Sequence, residues 1–364
     1  MQRRAELLDW STGVPGGDAL KRVVEALAAG ELVALPTETV YGIAARADHA
    51  AALERLAALK GRDRSKPLTW HVGRTEALEA LPQLSAMARR LAAKYWPGPL
   101  TLVLPGTARG VERAAFAGWT GVRRPAHPAC EALLCAAPFP VVATSANESG
   151  RAPLVSCSEI VARFGDELAF ALDGGAPKLG EASVVLKIGP GTFEVLRAGI
   201  VDEAALRATA GLGLAFVCTG NTCRSPMAEG IARTLLSQRL RVEPSALAKF
   251  GFSVQSMGVF ASPGDAASTH AVATMREQGI DIAAHRASAA IPEQVARLDR
   301  VYAMTRAHLE ALGMLLPPGK ASHCELLDPT GRDIADPVGG TRADYERTAA
   351  QIRRAIEARA TDWV

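Results

Sequence analysis

No stretch of this 364-residue chain holds about 18 consecutive apolar residues, the run a helix needs to cross a bilayer. Its first residues, "MQRRAELLDW", lack the apolar core of a secretory signal. Cysteine is sparse: six, at 130, 135, 157, 218, 223 and 324, too scattered for a disulfide scaffold. A surplus of one charge is missing too, since the formal net charge is only +3, which gives no bulk pull towards nucleic acid or lipid. Internal repeats, low-complexity tracts and a Walker loop are also absent. These absences argue against membrane-spanning, secreted and repeat classes, so the cytoplasm is the expected compartment, with no membrane partner. What remains is 48% hydrophobic and 22% charged, an ordinary globular composition with enough length for two cores.

Organisation follows the punctuation. A helix-like run from Gly17 to Ala29 leads to the strand-like "LVALP", then a helix-like "AALERLAALKGR" leads to "PLTWHV". Later come "LTLVLP", "GVRRPA", "PVVATSAN" and "ASVVLKI", each short and bounded by Gly or Pro. This mixture predicts an α/β domain on a twisted mixed sheet over about residues 1–207. After "EVLRAGIV" and a small-residue stretch near 202–213, "LAFVC" opens a more regular βαβα rhythm. That rhythm, through "GFSVQS", "DRVYAM" and "SHCELL" with a last helix near 345–358, predicts a four-stranded parallel sheet flanked by helices over 212–364.

The sharpest local signal is "VCTGNTCRSP", 217–226. A strand, a tight loop and Pro226 opening a helix make a dianion site: consecutive backbone N–H groups point inward and the helix terminus adds positive potential. Arg224 can fork onto two phosphate oxygens, and the same field favours the thiolate of Cys218, the nucleophilic form. C-x5-R spacing alone also arises by chance, as a buried cysteine near a surface arginine. A zinc reading is poor, because C-x4-C has no second His or Cys pair nearby.

With its flanks, "CTGNTCRSPMAE" resembles the low-molecular-weight protein tyrosine phosphatase family, from about residue 212 onward. The resemblance implies Cys218 as nucleophile, Arg224 as phosphate clamp, Ser225 as hydroxyl donor to the sulfur and Asn221 as loop brace. Thr219, Gly220, Thr222 and Cys223 complete the phosphate loop, and no metal or organic cofactor is implied. It also implies an acid in a late Asp-Pro loop; "ADPVGG" offers Asp336, and Asp328 in "LDPTG" is the competing position. Thr222, with "SMGVFASPG" and "HAVATM", looks closer to the protein arginine phosphatase branch, and Val338 stands where tyrosine-directed members carry an aromatic. Cys223 is placed to pair with an oxidised Cys218, or is simply a packed small residue.

The first two hundred residues carry polar clusters at strand ends. "LPTETVYG" holds Thr37, Glu38 and Thr39; "LKGRDRSKPLTWH" holds Lys60, Arg62, Arg64 and Lys66, with His71 beyond. "GVRRPAHP" holds Arg123 and Arg124, and "VVATSANESGRAP" holds Thr144, Ser145, Asn147 and Arg151. Each has a plain alternative as turn residues or a solvated charged face. Together they describe cations and hydroxyls around a concave sheet.

In their order, over about 17–201, these blocks resemble the threonylcarbamoyl-AMP synthase family (Sua5/YrdC/YciO), which condenses threonine, bicarbonate and ATP, with Mg²⁺, into an adenylate for the t6A37 modification of tRNA. The resemblance implies that Lys60, Arg62, Ser145 and Asn147 face ATP and the carbamoyl intermediate. It places Thr37, His71, Arg123 and Ser183 at threonine, and Arg64, Arg151 and Arg197 near the nucleotide. Where the family commonly reads Glu-Ser-Thr, this chain reads Ala182-Ser183-Val184, and no further synthase domain precedes the phosphatase-like segment. The short form implies other proteins for transfer to tRNA. The expected partners are therefore the three substrates, phosphorylated proteins and, indirectly, t6A-transfer proteins and tRNA. The alternative is a nucleotide- or RNA-binding module that targets an active phosphatase.

Overall fold

The computed structural model describes residues 4–11, 13, 17–61, 67–148, 150–189 and 192–363. The chain splits into two compact units, the first extending to Leu206 apart from residues 190–192, the second made chiefly of residues from Arg207 on.

The first unit is built on a ten-stranded mixed sheet: β1 Glu6–Asp9, β2 Leu32–Leu35, β3 Gly42–Arg46, β4 Thr69–His71, β5 Leu100–Pro105, β6 Trp119–Arg123, β7 Val141–Ser145, β8 Leu168–Asp173, β9 Val184–Gly189 and β10 Thr192–Arg197. Their spatial order is β1-β8-β2-β3-β7-β4-β6-β5-β9-β10. β2 is an unbroken apolar run buried along its whole length, as a central strand covered on both sides requires. β9 instead alternates: Val184, Leu186 and Ile188 are buried while Val185 and Lys187 turn to the other face. The helix Gly17–Ala28 buries Val23 and Leu27, one turn apart, and ends at Gly30, whose φ of +84° lets Gly30 and Glu31 N–H close back onto Leu27 and Ala26. With the helix Pro128–Ala136 it packs on the β8-β2-β3-β7 end of one sheet face. The β4-β6-β5-β9 end of the same face carries the first candidate site.

The second unit has four parallel strands, β11 Gly213–Cys218, β12 Ser253–Gly258, β13 Arg300–Ala303 and β14 Cys324–Leu326, in the order β12-β11-β13-β14. Alternation along β11 sends Leu214, Phe216 and Cys218 into one core, under the helices Arg224–Leu240 and Arg342–Arg359. Ala215 and Val217 enter the other, with Val295 and Leu312. Helices therefore cover both faces, as the βα rhythm predicts.

Several local expectations change. The strand expected at 121–126 starts at Trp119 and stops at Arg123, where Arg124-Pro125 ends the pairing. The helix expected to open at Pro226 begins at Arg224, leaving Pro226 in its first turn, where no intrahelical N–H partner exists. The small-residue stretch after 202 includes a helix, Glu203–Ala210. Among the described residues no helix is long and apolar enough to cross a membrane.

Candidate active sites

In the first unit, alternation places Thr69 and His71 of β4, Thr101 and Val103 of β5, Gly121 and Arg123 of β6, and Val185 and Lys187 of β9 on one face. They line a cavity of about 490 Å³. Of the sequence-derived residues, Thr37, His71, Arg123, Ser145, Ser183 and Arg197 reach it.

Each is held by neighbours. Arg123 is buried, donating to Glu38 Oε1 and Thr39 Oγ1 at 2.7 Å each, and Glu38 Oε2 accepts from Ala126 N at 2.9 Å. A buried charge needs such a partner, so Glu38 fixes where the guanidinium sits. Thr37 Oγ1 accepts from Val40 N–H at 3.2 Å, folding the β2–β3 turn towards the cavity. Arg197 donates to Ser183 O at 3.0 Å and to its Oγ at 3.1 Å, and Thr101 Oγ1 lies 2.9 Å from that Oγ. Burial and the charge of Arg123 depress the pKa of Arg197. Burial, then Arg123, lowers His71 to about 4, so its ring is neutral at physiological pH, with Nδ1 3.0 Å from Thr69 O. Lys60, at the end of the helix Ala50–Leu59, is buried and donates to Asn147 Oδ1 at 2.7 Å and to Ser145 O at 2.5 Å. It thereby braces the Ser145–Asn147 corner behind the cavity wall. The structure brings Arg151 elsewhere: its side chain is 78% exposed and pairs with Glu148 at 3.0 Å, outside the cavity lining. Arg62 and Arg64 lie outside the described residues. Of the Ala182-Ser183-Val184 triplet, Ala182 and Ser183 line the cavity and Val184 is buried.

In the second unit the loop after β11 closes around Cys218. Its Sγ lies 3.0 Å from Ser225 Oγ. Asn221 is fully buried at φ +55° and ties the loop together: its amide donates to Ser225 Oγ and Ser256 Oγ at 2.9 Å each, and its Oδ1 accepts from Ser288 N at 2.8 Å. Ser256 donates in turn to Glu229 at 2.8 Å, and His285 Nε2 sits 2.7 Å from Asn221 O. Gly258 lies so close beneath that a Cβ there would fall 2.4 Å from Thr219 O.

Arg224 is buried, and its Nη2 donates to Asp336 Oδ2 at 2.5 Å, while Asp336 itself is half exposed. Asp328 instead caps its own turn, accepting from Thr330 N and Oγ1, so of the two Asp-Pro positions Asp336 is the one at the loop. Cys223 is buried with Sγ 3.3 Å from Tyr345 OH; burial and then this thiol raise the Tyr345 pKa. Val338, on the acid loop, is 68% exposed and brings no ring to the site. His308 escaped the sequence reading. Its Nε2 meets Thr219 Oγ1 and its Nδ1 meets Thr305 Oγ1, each at 2.9 Å, and burial, then Arg224, lowers its pKa. A buried thiol, a hydroxyl, a guanidinium and a carboxyl at one loop suit phosphoryl transfer through sulfur.

The family model described as "Telomere recombination" (Sua5, YciO, YrdC) matches residues 25–199. That for low molecular weight phosphotyrosine protein phosphatases matches 213–363. The threonylcarbamoyl-AMP synthase of Chromohalobacter salexigens is 39% identical over 160 residues, which is 43% of this chain and 85% of that protein. The chain belongs to the threonylcarbamoyl-AMP synthase family. Behind that domain it carries a second one, of the low molecular weight phosphatase family. The threonylcarbamoyl-AMP synthase of Pyrococcus abyssi is 38% identical over 173 residues, 47% of this chain and 51% of that protein. The chain thus spans about half the length of the first curated relatives it matches. Among solved structures, the YwlE arginine phosphatase from Geobacillus stearothermophilus is 33% identical, with 41% of this chain and 90% of that chain covered and a TM-score of 0.35. The 490 Å³ cavity lies within the stretch that the first family model matches, and the Cys218 loop within the stretch that the second matches.

Proposed function

We propose that the first unit condenses threonine, bicarbonate and ATP into threonylcarbamoyl-AMP with release of pyrophosphate, and that the second hydrolyses phosphoproteins through a phosphocysteine at Cys218. The observation that carries the first reading is the convergence of His71, Arg123, Ser183 and Arg197 on one cavity. With Nδ1–H donating to Thr69 O, neutral His71 turns an acceptor, Nε2, towards an N–H or O–H of the substrate, and Arg123 and Arg197, which line the same cavity, would meet its carboxylate or carbamate. Holding an unstable carbamate beside the α-phosphorus makes the condensation effectively unimolecular. Mg²⁺ would arrive bound to the phosphates of ATP, as the MgATP substrate. The adenylate would serve t6A37 formation in tRNA, through separate transfer proteins.

The observation behind the second reading is the contact between Cys218 Sγ and Ser225 Oγ beside the Arg224–Asp336 pair. A hydroxyl donated to sulfur stabilises the thiolate. An arriving phosphate dianion engages Arg224, and Asp336, released from its partner, takes up a proton from solvent and delivers it to the leaving group as the thiolate forms the S–P bond. Phosphoarginine is favoured over phosphotyrosine, because the hydroxyl of Thr222 suits a polar guanidinium and Val338 offers no stacking surface.

Purified protein assayed for both reactions tests the proposal. Cys218→Ser is expected to abolish only phosphatase turnover, and Lys60→Ala only adenylate formation. Absence of threonine-dependent pyrophosphate release, alongside salt-sensitive RNA binding, would replace the synthase with a binding module. Faster turnover of phosphotyrosine than of phosphoarginine peptides would reverse the specificity.

A further inference from the structure

Past the end of β4 lies a second groove, of about 580 Å³, that the chemistry above does not use. It runs between the 3₁₀ helix Thr75–Ala80, the turn at 108–109 and the segment that follows the helix Pro128–Ala136. Its apolar lining includes Trp70, Pro138, Phe139 and Pro140. With His71 neutral, the only charged residues among the described lining are Arg74 and Arg109, both exposed. Neither guanidinium makes a hydrogen bond or ion pair among the described residues, and no carboxylate lines the groove. Arg46, Arg55, Arg89, Arg123 and Arg124 of the same unit each pair with an acid, so Arg74 and Arg109 are cations on the groove rim that no neighbouring carboxylate neutralises.

From this complementarity we infer that the groove binds an acidic polypeptide segment bearing a ring or proline, which belongs to a partner protein. Carboxylates would meet Arg74 and Arg109 while the flat side chain lies against Phe139 and Pro140, the division between polar rim and apolar centre that interfaces use. Two cations are too few for RNA. Phosphate contacts release about one counterion each, so two give little affinity at physiological salt. The site also has a position in the catalytic unit: His71 lines both this groove and the reaction cavity, so a bound segment touches the strand that shapes the threonylcarbamoyl site.

Cys135 supplies the readout. It lines the groove and is exposed, whereas the other five cysteines are buried. In the full chain, the alkylation rate of Cys135 by iodoacetamide is followed by mass spectrometry of its peptide, with and without an acetylated Asp-Glu-Phe-Pro-Asp-Glu hexapeptide. The expected result is at least about fivefold slowing at saturating peptide, weakened when the ionic strength rises from 0.05 to 0.5 M. Slowing should vanish in the Arg74→Glu/Arg109→Glu variant. Arg109→Glu alone, a change in an exposed turn, should weaken the peptide severalfold and guards against a folding defect in the double variant. Equal slowing by the Asn/Gln counterpart of the hexapeptide, or unchanged protection in either variant, overturns the inference. So does protection by an oligouridylate in place of the peptide, which would make the occupant RNA.

Discussion

Replacing Asn221 by alanine and, separately, by glycine divides what holds the phosphate loop into two parts. Both variants lose the three side-chain bonds to Ser225, Ser256 and Ser288. At about 1 kcal/mol each, that is about 3 kcal/mol for either. Alanine adds the strain of a left-handed backbone at φ +55°, roughly 1–2 kcal/mol, which glycine avoids. Glycine's greater entropy loss on folding, about 0.5–1 kcal/mol, offsets part of that advantage. Asn221→Gly should therefore cost about 3.5–4 kcal/mol and Asn221→Ala roughly 0.5–1 kcal/mol more. Four of the five tryptophans lie outside the second unit, so bulk fluorescence would mix the two units. Hydrogen exchange of the peptide covering β11 reads the opening energy of the correct unit instead. An alanine variant as stable as the glycine one would refute the backbone argument. If both fell within about 0.5 kcal/mol of the parent, the bracing role itself would be wrong.

Three further outcomes follow from the geometry. His71 is lowered from 6.5 to about 4, so its contribution to stability is complete above pH 6.5 and is lost as pH falls towards 4, by about 3 kcal/mol; urea midpoints of the first unit should show this slope, and His71→Gln should flatten it. Glu38→Ala leaves Arg123 as an unpaired buried charge and should cost about 3–5 kcal/mol, with Glu38→Gln milder; equal, small losses in urea titrations would mean that water solvates the pair. Asp336→Asn should lower phosphatase turnover by about 10²–10⁴ for poor leaving groups and far less for para-nitrophenyl phosphate; one uniform loss across leaving groups would remove Asp336 as the acid.

What could be read in advance was whatever resides in local pattern. The second unit was legible because each of its strands is a short apolar run closed by a loop, and the Cys218–Ser225 loop is contiguous. β3 and β8 were not: "GIAAR" and "LAFALD" are rich in alanine, glycine and leucine, with little β-branching, and they are strands because neighbours pair on both sides of them. The same limit hid the partners of the site residues. Glu38 reaches Arg123 across 85 positions and Thr219 reaches His308 across 89, distances over which no spacing rule operates. Arg151 has a local partner instead, Glu148 three residues back, a pairing that the resemblance did not indicate.

Gly258 leaves the underside of the phosphate loop without mutational latitude. The first side-chain carbon of any replacement would fall 2.4 Å from Thr219 O and 2.9 Å from Asn221 N. All nineteen alternatives carry that carbon, so their chemistry hardly matters. A saturation scan along β12 should show one column with a single permitted letter beside columns that accept several, marking a position whose importance lies in the atom it omits.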